Sequence, residues 1–230
     1  MLRRKLWIVW LATCLTAVSC RSKSTFQDPM KDGQSNFEAK NYAAALTNFS
    51  KALEINPTNA EAFCLRGMSK WWLSDFTSAV ADYDKAIALK PDCARFYCNR
   101  GEAKFYLHDC NEALADYNKS IELDPTGAEP YFNRGSLKLL CFTNCSEAIA
   151  DYTRAIDLQS DPHPEDIFFM RGCARHQLND FDGAIADYKR ALSLNPTAEW
   201  ANSKRCQEYL EAAERSTRPP WDPSAAAPVR

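Results

Sequence analysis

The chain has 230 residues, 25% of them charged, with 7 glycines and a formal net charge of −2. That length supports one domain with a real core, and the balanced charge, free of long like-charge blocks, argues against nucleic acid as a partner. No glycine-rich loop could cradle a phosphate, and His108, His163 and His176 stand apart without metal-ligand spacing, so nucleotide and metal chemistry have no visible residues to carry them.

Residues 1–20 read as a targeting segment. Arg3, Arg4 and Lys5 form a basic start, and Leu6 to Val18 gives 13 mostly apolar residues, too few to span a bilayer comfortably. Ala17 and Ser19 suit cleavage before Cys20. The same four residues, Ala17-Val18-Ser19-Cys20, resemble a bacterial lipobox, whose cysteine is diacylated; a lipobox usually carries Leu where Ala17 stands and a small residue where Val18 stands. The expectation is an exported protein facing the periplasm and lipidated at Cys20, with plain secretion or an uncleaved anchor as alternatives. Without residues 1–19 the chain holds 25 basic and 30 acidic side chains. Residues 21–27 are polar and read as a tether.

From about Phe26 a pattern recurs. Pro57, Pro91 and Pro125 are spaced by 34 residues, as are Gly33, Gly67, Gly101 and Gly135, and the step to Gly172 is 37. Each unit predicts two helices. A small residue sits mid-way along the first, where the second can approach closely. The second carries Ala79, Ala113, Ala148 or Ala184, and an aromatic four places on: Tyr83, Tyr117, Tyr152 or Tyr188. Three further stands Ala86, Ser120, Ala155 or Ala191, so small and large side chains alternate along one helix face. Proline stops the helix because it has no backbone donor. A fixed period of this length predicts a solenoid whose units pack on their neighbours.

A 34-residue helix–turn–helix with these places filled resembles the tetratricopeptide repeat (TPR) family, over about Phe26 to Pro196. The resemblance implies an all-α, right-handed superhelix of five units. The first unit is degenerate, with Pro29 where an aromatic belongs, as terminal repeats often are. Unit four departs from the period: Cys141-Phe-Thr-Asn-Cys145 predicts one extra residue in its inter-helix turn, and Ser160 to Glu165, with Asp161-Pro162 and His163-Pro164, a lengthened loop. Ala198 to about Arg215, with Trp200, Ala201, Cys206, Leu210 and Ala213, predicts an amphipathic capping helix, which closes a TPR domain over residues 28–215. Residues 216–230, rich in proline and alanine around Trp221, read as a disordered tail.

Four constellations bear on function. Arg66, Arg100, Arg134 and Arg171 precede the central glycines, Lys70, Lys104, Lys138 and Arg175 follow four later, and Asp82, Asp116, Asp151 and Asp187 precede the tyrosines. Their repetition predicts a ladder of ion pairs within or between units, in preference to an anion-binding groove. Some TPR domains grip a C-terminal carboxylate with a two-carboxylate clamp. Asn99 and Asn133 occupy its middle place, but Cys64 and Met68, or Cys98 and Glu102, stand where Lys and Asn belong, and Asp166 and Met170 where Lys and Arg belong; the clamp is absent. The family's groove-facing places fall on Met68, Trp71, Trp72, Phe105, Tyr106, Phe132, Leu139, Leu140 and Phe169, predicting an aromatic groove that binds a partner peptide or helix. Trp71 and Trp72 diverge by about 100° on one helix, so one should pack inward and its neighbour meet something else. Oxidising export favours disulfides, with Cys64–Cys98, Cys110 with Cys141 or Cys145, and Cys173–Cys206 as candidates; buried thiols are the alternative. The expected function is a non-enzymatic scaffold of the cell envelope that binds protein partners, without cofactor or metal. A self-associating structural protein is the competing class, and no second domain is visible to house an enzyme.

Overall fold

The computed structural model describes residues 28–158, 164–197 and 203–215. The targeting segment with Cys20, the 21–27 tether, the loop at Asp161, Pro162 and His163, Trp200 and Ala201, and the 216–230 tail lie outside the described residues.

The described residues form eleven α-helices and no strand. They are α1 (Pro29–Glu38), α2 (Tyr42–Ile55), α3 (Ala60–Trp72), α4 (Phe76–Leu89), α5 (Ala94–Tyr106), α6 (Cys110–Leu123), α7 (Ala128–Cys141), α8 (Cys145–Leu158), α9 (Pro164–Gln177), α10 (Phe181–Leu194) and α11 (Ser203–Glu214). Ten of them make five antiparallel pairs, and α11 packs on α10 as a cap. Each helix packs on the next in sequence, and successive first helices also touch one another. The second helices lack a comparable contact, so the first helices form the inner layer of a right-handed superhelix and the second helices the outer one.

Local chemistry sets the boundaries. Asp28, Asn41, Asn59, Asp75 and Asp180 accept the backbone N–H two or three residues on and so cap α1, α2, α3, α4 and α10, satisfying donors that a helix start leaves open. Three outer helices, α2, α6 and α10, end in an Asx turn: the Thr58, Thr126 and Thr197 hydroxyls donate to Asn56, Asp124 and Asn195, at 2.9, 2.6 and 2.6 Å. The intervening proline bars the next helical bond. Every turn between paired helices places a non-glycine residue at positive φ: Lys40, Ser74, His108, Thr143 and Asn179. These left-handed residues follow the helix C-caps.

Close approach of paired helices explains the central glycines. A Cβ on Gly67, Gly101 or Gly135 would come within 2.8, 2.9 or 3.0 Å of a ring carbon of Tyr83, Tyr117 or Tyr152. In unit one Phe49 takes the tyrosine's place against Gly33. Ala45, Ala79, Ala113, Ala148 and Ala184 are completely buried beside these rings, so small and large groups interlock down the solenoid.

Two expectations are corrected. The extra residue of unit four lies in helix α7, which has 14 residues against 13 for α3 and α5. The turn keeps three residues, Phe142, Thr143 and Asn144, and Asn144 N–H reaches the Lys138 carbonyl at 3.0 Å. A helix turn widened by one residue keeps the flanking backbone bonded. Phe169 is core: it is 1% exposed and packs against Tyr188 and, at 6.1 Å, Tyr209 of the capping helix.

Candidate functional site

The charged ladder is the most regular feature of the molecule. Asp82, Asp116, Asp151 and Asp187 are buried on the second helices. Each takes a two-toothed grip from one arginine. Arg66, Arg100, Arg134 and Arg171 Nη2 lie 2.6, 2.6, 2.6 and 2.7 Å from Oδ1, with Nε on Oδ2. Lys70, Lys104, Lys138 and Arg175 reach the same carboxylates at 2.7, 3.0, 2.9 and 2.8 Å. Three arginines also extend to the preceding unit, donating to Asp84, Asn118 and Thr153. The ladder therefore ties both the helices of a unit and adjacent units, and its cations are occupied within the fold. An anion-binding groove built from them has no support.

The asparagines of the clamp's middle place are engaged as well. Asn99 Nδ2 donates to Cys64 Sγ at 3.4 Å and Asn133 Nδ2 to Cys98 Sγ at 3.7 Å, each across a unit boundary. Burial pushes the Cys64 thiol up to about 12 and the Cys98 thiol well above its ordinary value, so neither is a ready nucleophile.

Cys110 and Cys141 form a disulfide between the start of α6 and the end of α7, Cα atoms 6.5 Å apart. Of the other nominated pairs, Cys64, Cys98, Cys173 and Cys206 remain thiols, which corrects Cys64–Cys98 and Cys173–Cys206. Equivalent places on packed helices lie about 8–10 Å apart, beyond the 7 Å or so that a disulfide allows. Cys145 is not bridged to Cys110; its thiol donates to Gln177 Oε1 at 2.8 Å. Cys206 donates to the Tyr188 carbonyl at 3.5 Å.

The inner layer carries a run of touching rings across units one to three. Phe37 meets Tyr42 edge-on, Tyr42 stacks on Trp72 at 5.0 Å and 3°, and Trp72 meets Trp71 edge-on at 5.1 Å. Trp71 then contacts Tyr106 at 5.2 Å, and Phe76 stacks on Tyr106 at 4.6 Å. The two tryptophans diverge. Trp71 joins the core around Tyr83 and Phe96, with its indole N–H buried and without an acceptor. Trp72 turns back onto the preceding unit and belongs to no buried cluster among the described residues. Met68, Trp71, Trp72, Phe105, Tyr106, Phe132 and Leu140 are partly exposed, whereas Leu139 and Phe169 are buried. Sequence reasoning missed the participation of Tyr42 and Phe76 from the outer helices. Their signal was an aromatic first residue in α2 and α4, repeated as Phe181 in α10, a place outside the recurring stripe.

Among the described residues no helix is long and apolar enough to cross a membrane, and no group of His, Cys, Asp or Glu is arranged to hold a metal ion.

Comparison with known proteins accounts for this architecture. Profiles described as TPR repeat match residues 33–70 and 73–107, and two described as tetratricopeptide repeat match 94–126 and 166–198; together they span more than half of the chain. No curated protein sequence matches it. Among solved structures, the thermophilic TPR protein TTC0263 of Thermus thermophilus is 22% identical, with a TM-score of 0.67 over 80% of this chain and 98% of its own. MamA of Desulfovibrio magneticus RS-1 is 18% identical, with a TM-score of 0.63 over 74% and 95%. YrrB, a TPR protein with an unusual peptide-binding site, is 19% identical, with a TM-score of 0.58 over 77% and 90%. At these identities the likeness is one of fold. The recurring glycine–tyrosine pairs, the paired-helix superhelix and the matching profiles agree: this chain belongs to the tetratricopeptide repeat family.

Proposed function

We propose that the protein is a non-enzymatic scaffold of the cell envelope that holds an extended or helical segment of a partner protein in its inner groove. The observation that carries this reading is the partly exposed aromatic run from Phe37 through Trp72 and Trp71 to Tyr106 on the inner layer. Aromatic side chains give large contact area at low entropy cost and often dominate an interface. The ladder cations and clamp-place asparagines are spent on the fold, so partner binding falls to these rings and the groove side chains beside them. That YrrB carries a peptide-binding site on the same fold supports the reading by analogy. Export, with lipid at Cys20, is part of the proposal and rests on Arg3-Arg4-Lys5, the apolar stretch and the residues before Cys20; a mature N-terminus other than diacylglyceryl-Cys20 by mass spectrometry would remove the anchor.

Trp71→Ala and Trp72→Ala test the groove. Trp71 is packed, so its loss should cost about 3–5 kcal/mol of stability. Trp72 stacks on one ring, so Trp72→Ala should fold with a loss of about 1 kcal/mol while losing partners retained by the unaltered protein in a pull-down from envelope extract. An unchanged partner set with folded Trp72→Ala would overturn the groove reading.

A further inference from the structure

The charges of the inner layer identify the kind of segment it would take. Every lysine and arginine of α3, α5, α7 and α9 is paired with a carboxylate. Arg95, whose side chain is 45% exposed on the inner stripe of α5, is held by Glu61 of α3 at 2.5 Å. Glu102, seven residues on and on the same face as Arg95 and Cys98, is different. It is only partly exposed, and no described hydrogen bond or ion pair reaches its carboxyl. Burial, with Glu129 of α7 as a second repelling charge, pushes that carboxyl up to about 8. A carboxylate in a half-closed wall with no internal counter-charge costs free energy whenever it ionises, and a cation from outside would remove the cost. The ring wall beside it, Phe105 and Tyr106 on the same helix and Trp71 across the unit boundary, suits both a cation and its methylene stem.

We propose that the groove at units two and three receives a partner segment carrying a lysine or arginine, whose cation pairs with Glu102 while its apolar neighbours lie on the aromatic wall. This rests on the groove being the binding face. Charge complementarity here selects the partner, and the aromatic contacts hold it.

Three labelled 18-residue peptides, composed of Leu with Lys, Leu with Gln and Leu with Glu, would be titrated against the whole protein by fluorescence anisotropy. The Leu/Lys peptide should bind at least about tenfold more tightly than the Leu/Gln peptide, and the Leu/Glu peptide most weakly. Glu102→Gln should weaken Leu/Lys binding about tenfold and leave Leu/Gln binding unchanged. If Leu/Lys binds both proteins equally while Leu/Gln still binds, the charge inference falls and the groove reading stands. If no peptide binds the unaltered protein, both fall. Should Glu102→Gln melt early, the pH dependence of the unaltered protein decides. The titratable groups facing Glu102 are Glu129 from α7, Tyr83 from α4, Tyr117 from α6 and, on its own helix, Cys98 and Tyr106. Burial pushes Tyr83, Tyr117 and Cys98 well above their ordinary values. Leu/Lys affinity should therefore rise between about pH 6 and pH 8.5 as Glu102 ionises, and a flat profile overturns the inference.

Discussion

Removing one carboxylate of the ladder tests whether charge or shape holds the units together. Asp151 on α8 receives Arg134 Nε and Nη2 at 2.9 and 2.6 Å and Lys138 Nζ at 2.9 Å. Its side chain is 7% exposed, and those of Arg134 and Lys138 are 18% and 14% exposed. Asp151→Ala leaves both cations half-desolvated, although Lys138 keeps Glu147 and Arg134 keeps Asn118. Breaking a buried pair costs about 3–5 kcal/mol. The retained partners and residual exposure place this case at the low end, about 3 kcal/mol. For a domain of this size that lowers the melting temperature by about 6–12 °C, read by far-UV circular dichroism. The charge-free triple, Arg134→Met with Lys138→Met and Asp151→Leu, leaves no uncompensated ion and should recover most of the loss. If Asp151→Ala stays within about 1 kcal/mol of the unaltered protein, the ladder contributes little. If the triple loses as much as the single variant, fit and not charge is what matters.

Two further outcomes are expected. The Cys110–Cys141 bridge closes a stretch with a sequence separation of 31, so reduction should cost about 3–4 kcal/mol; thiol titration of the unfolded, unreduced chain should find Cys110 and Cys141 unreactive, and their full reactivity would refute the bridge. Glu102 has a folded value of about 8 against an ordinary 4.5, so its contribution to stability is complete below about pH 4.5 and is lost as pH rises through 8. The slope is at most about 1.4 kcal/mol per pH unit. Melts between pH 5 and pH 8.5 should show stability falling in that window and Glu102→Gln flattening it; a stability that rises there would contradict the buried acid.

The sequence alone determined the period, the two helices of each unit and the glycine–tyrosine interlock. A solenoid is built from contacts between neighbours, so each place recurs with the same local duty and can be read from its repetition. The ladder was legible for the same reason, since four copies of one Arg–Lys–Asp set carry one meaning. Tertiary structure decided what repetition does not encode. Which cysteines pair depends on separations between helix ends: Cys110 and Cys141 meet at 6.5 Å, while Cys64 and Cys98, at equivalent places, lie a helix spacing apart. Phe169 looked like groove because it shares its place in the repeat with the partly exposed Phe132, yet Tyr209 of the capping helix packs against it, a contact that only the end of the array offers. The roles of Trp71 and Trp72 were set by Tyr42, Phe76 and Tyr106 around them. Glu102 aligns with Met68 and Ser136 in the repeat, and only the fold shows that every nearby cation already has a partner.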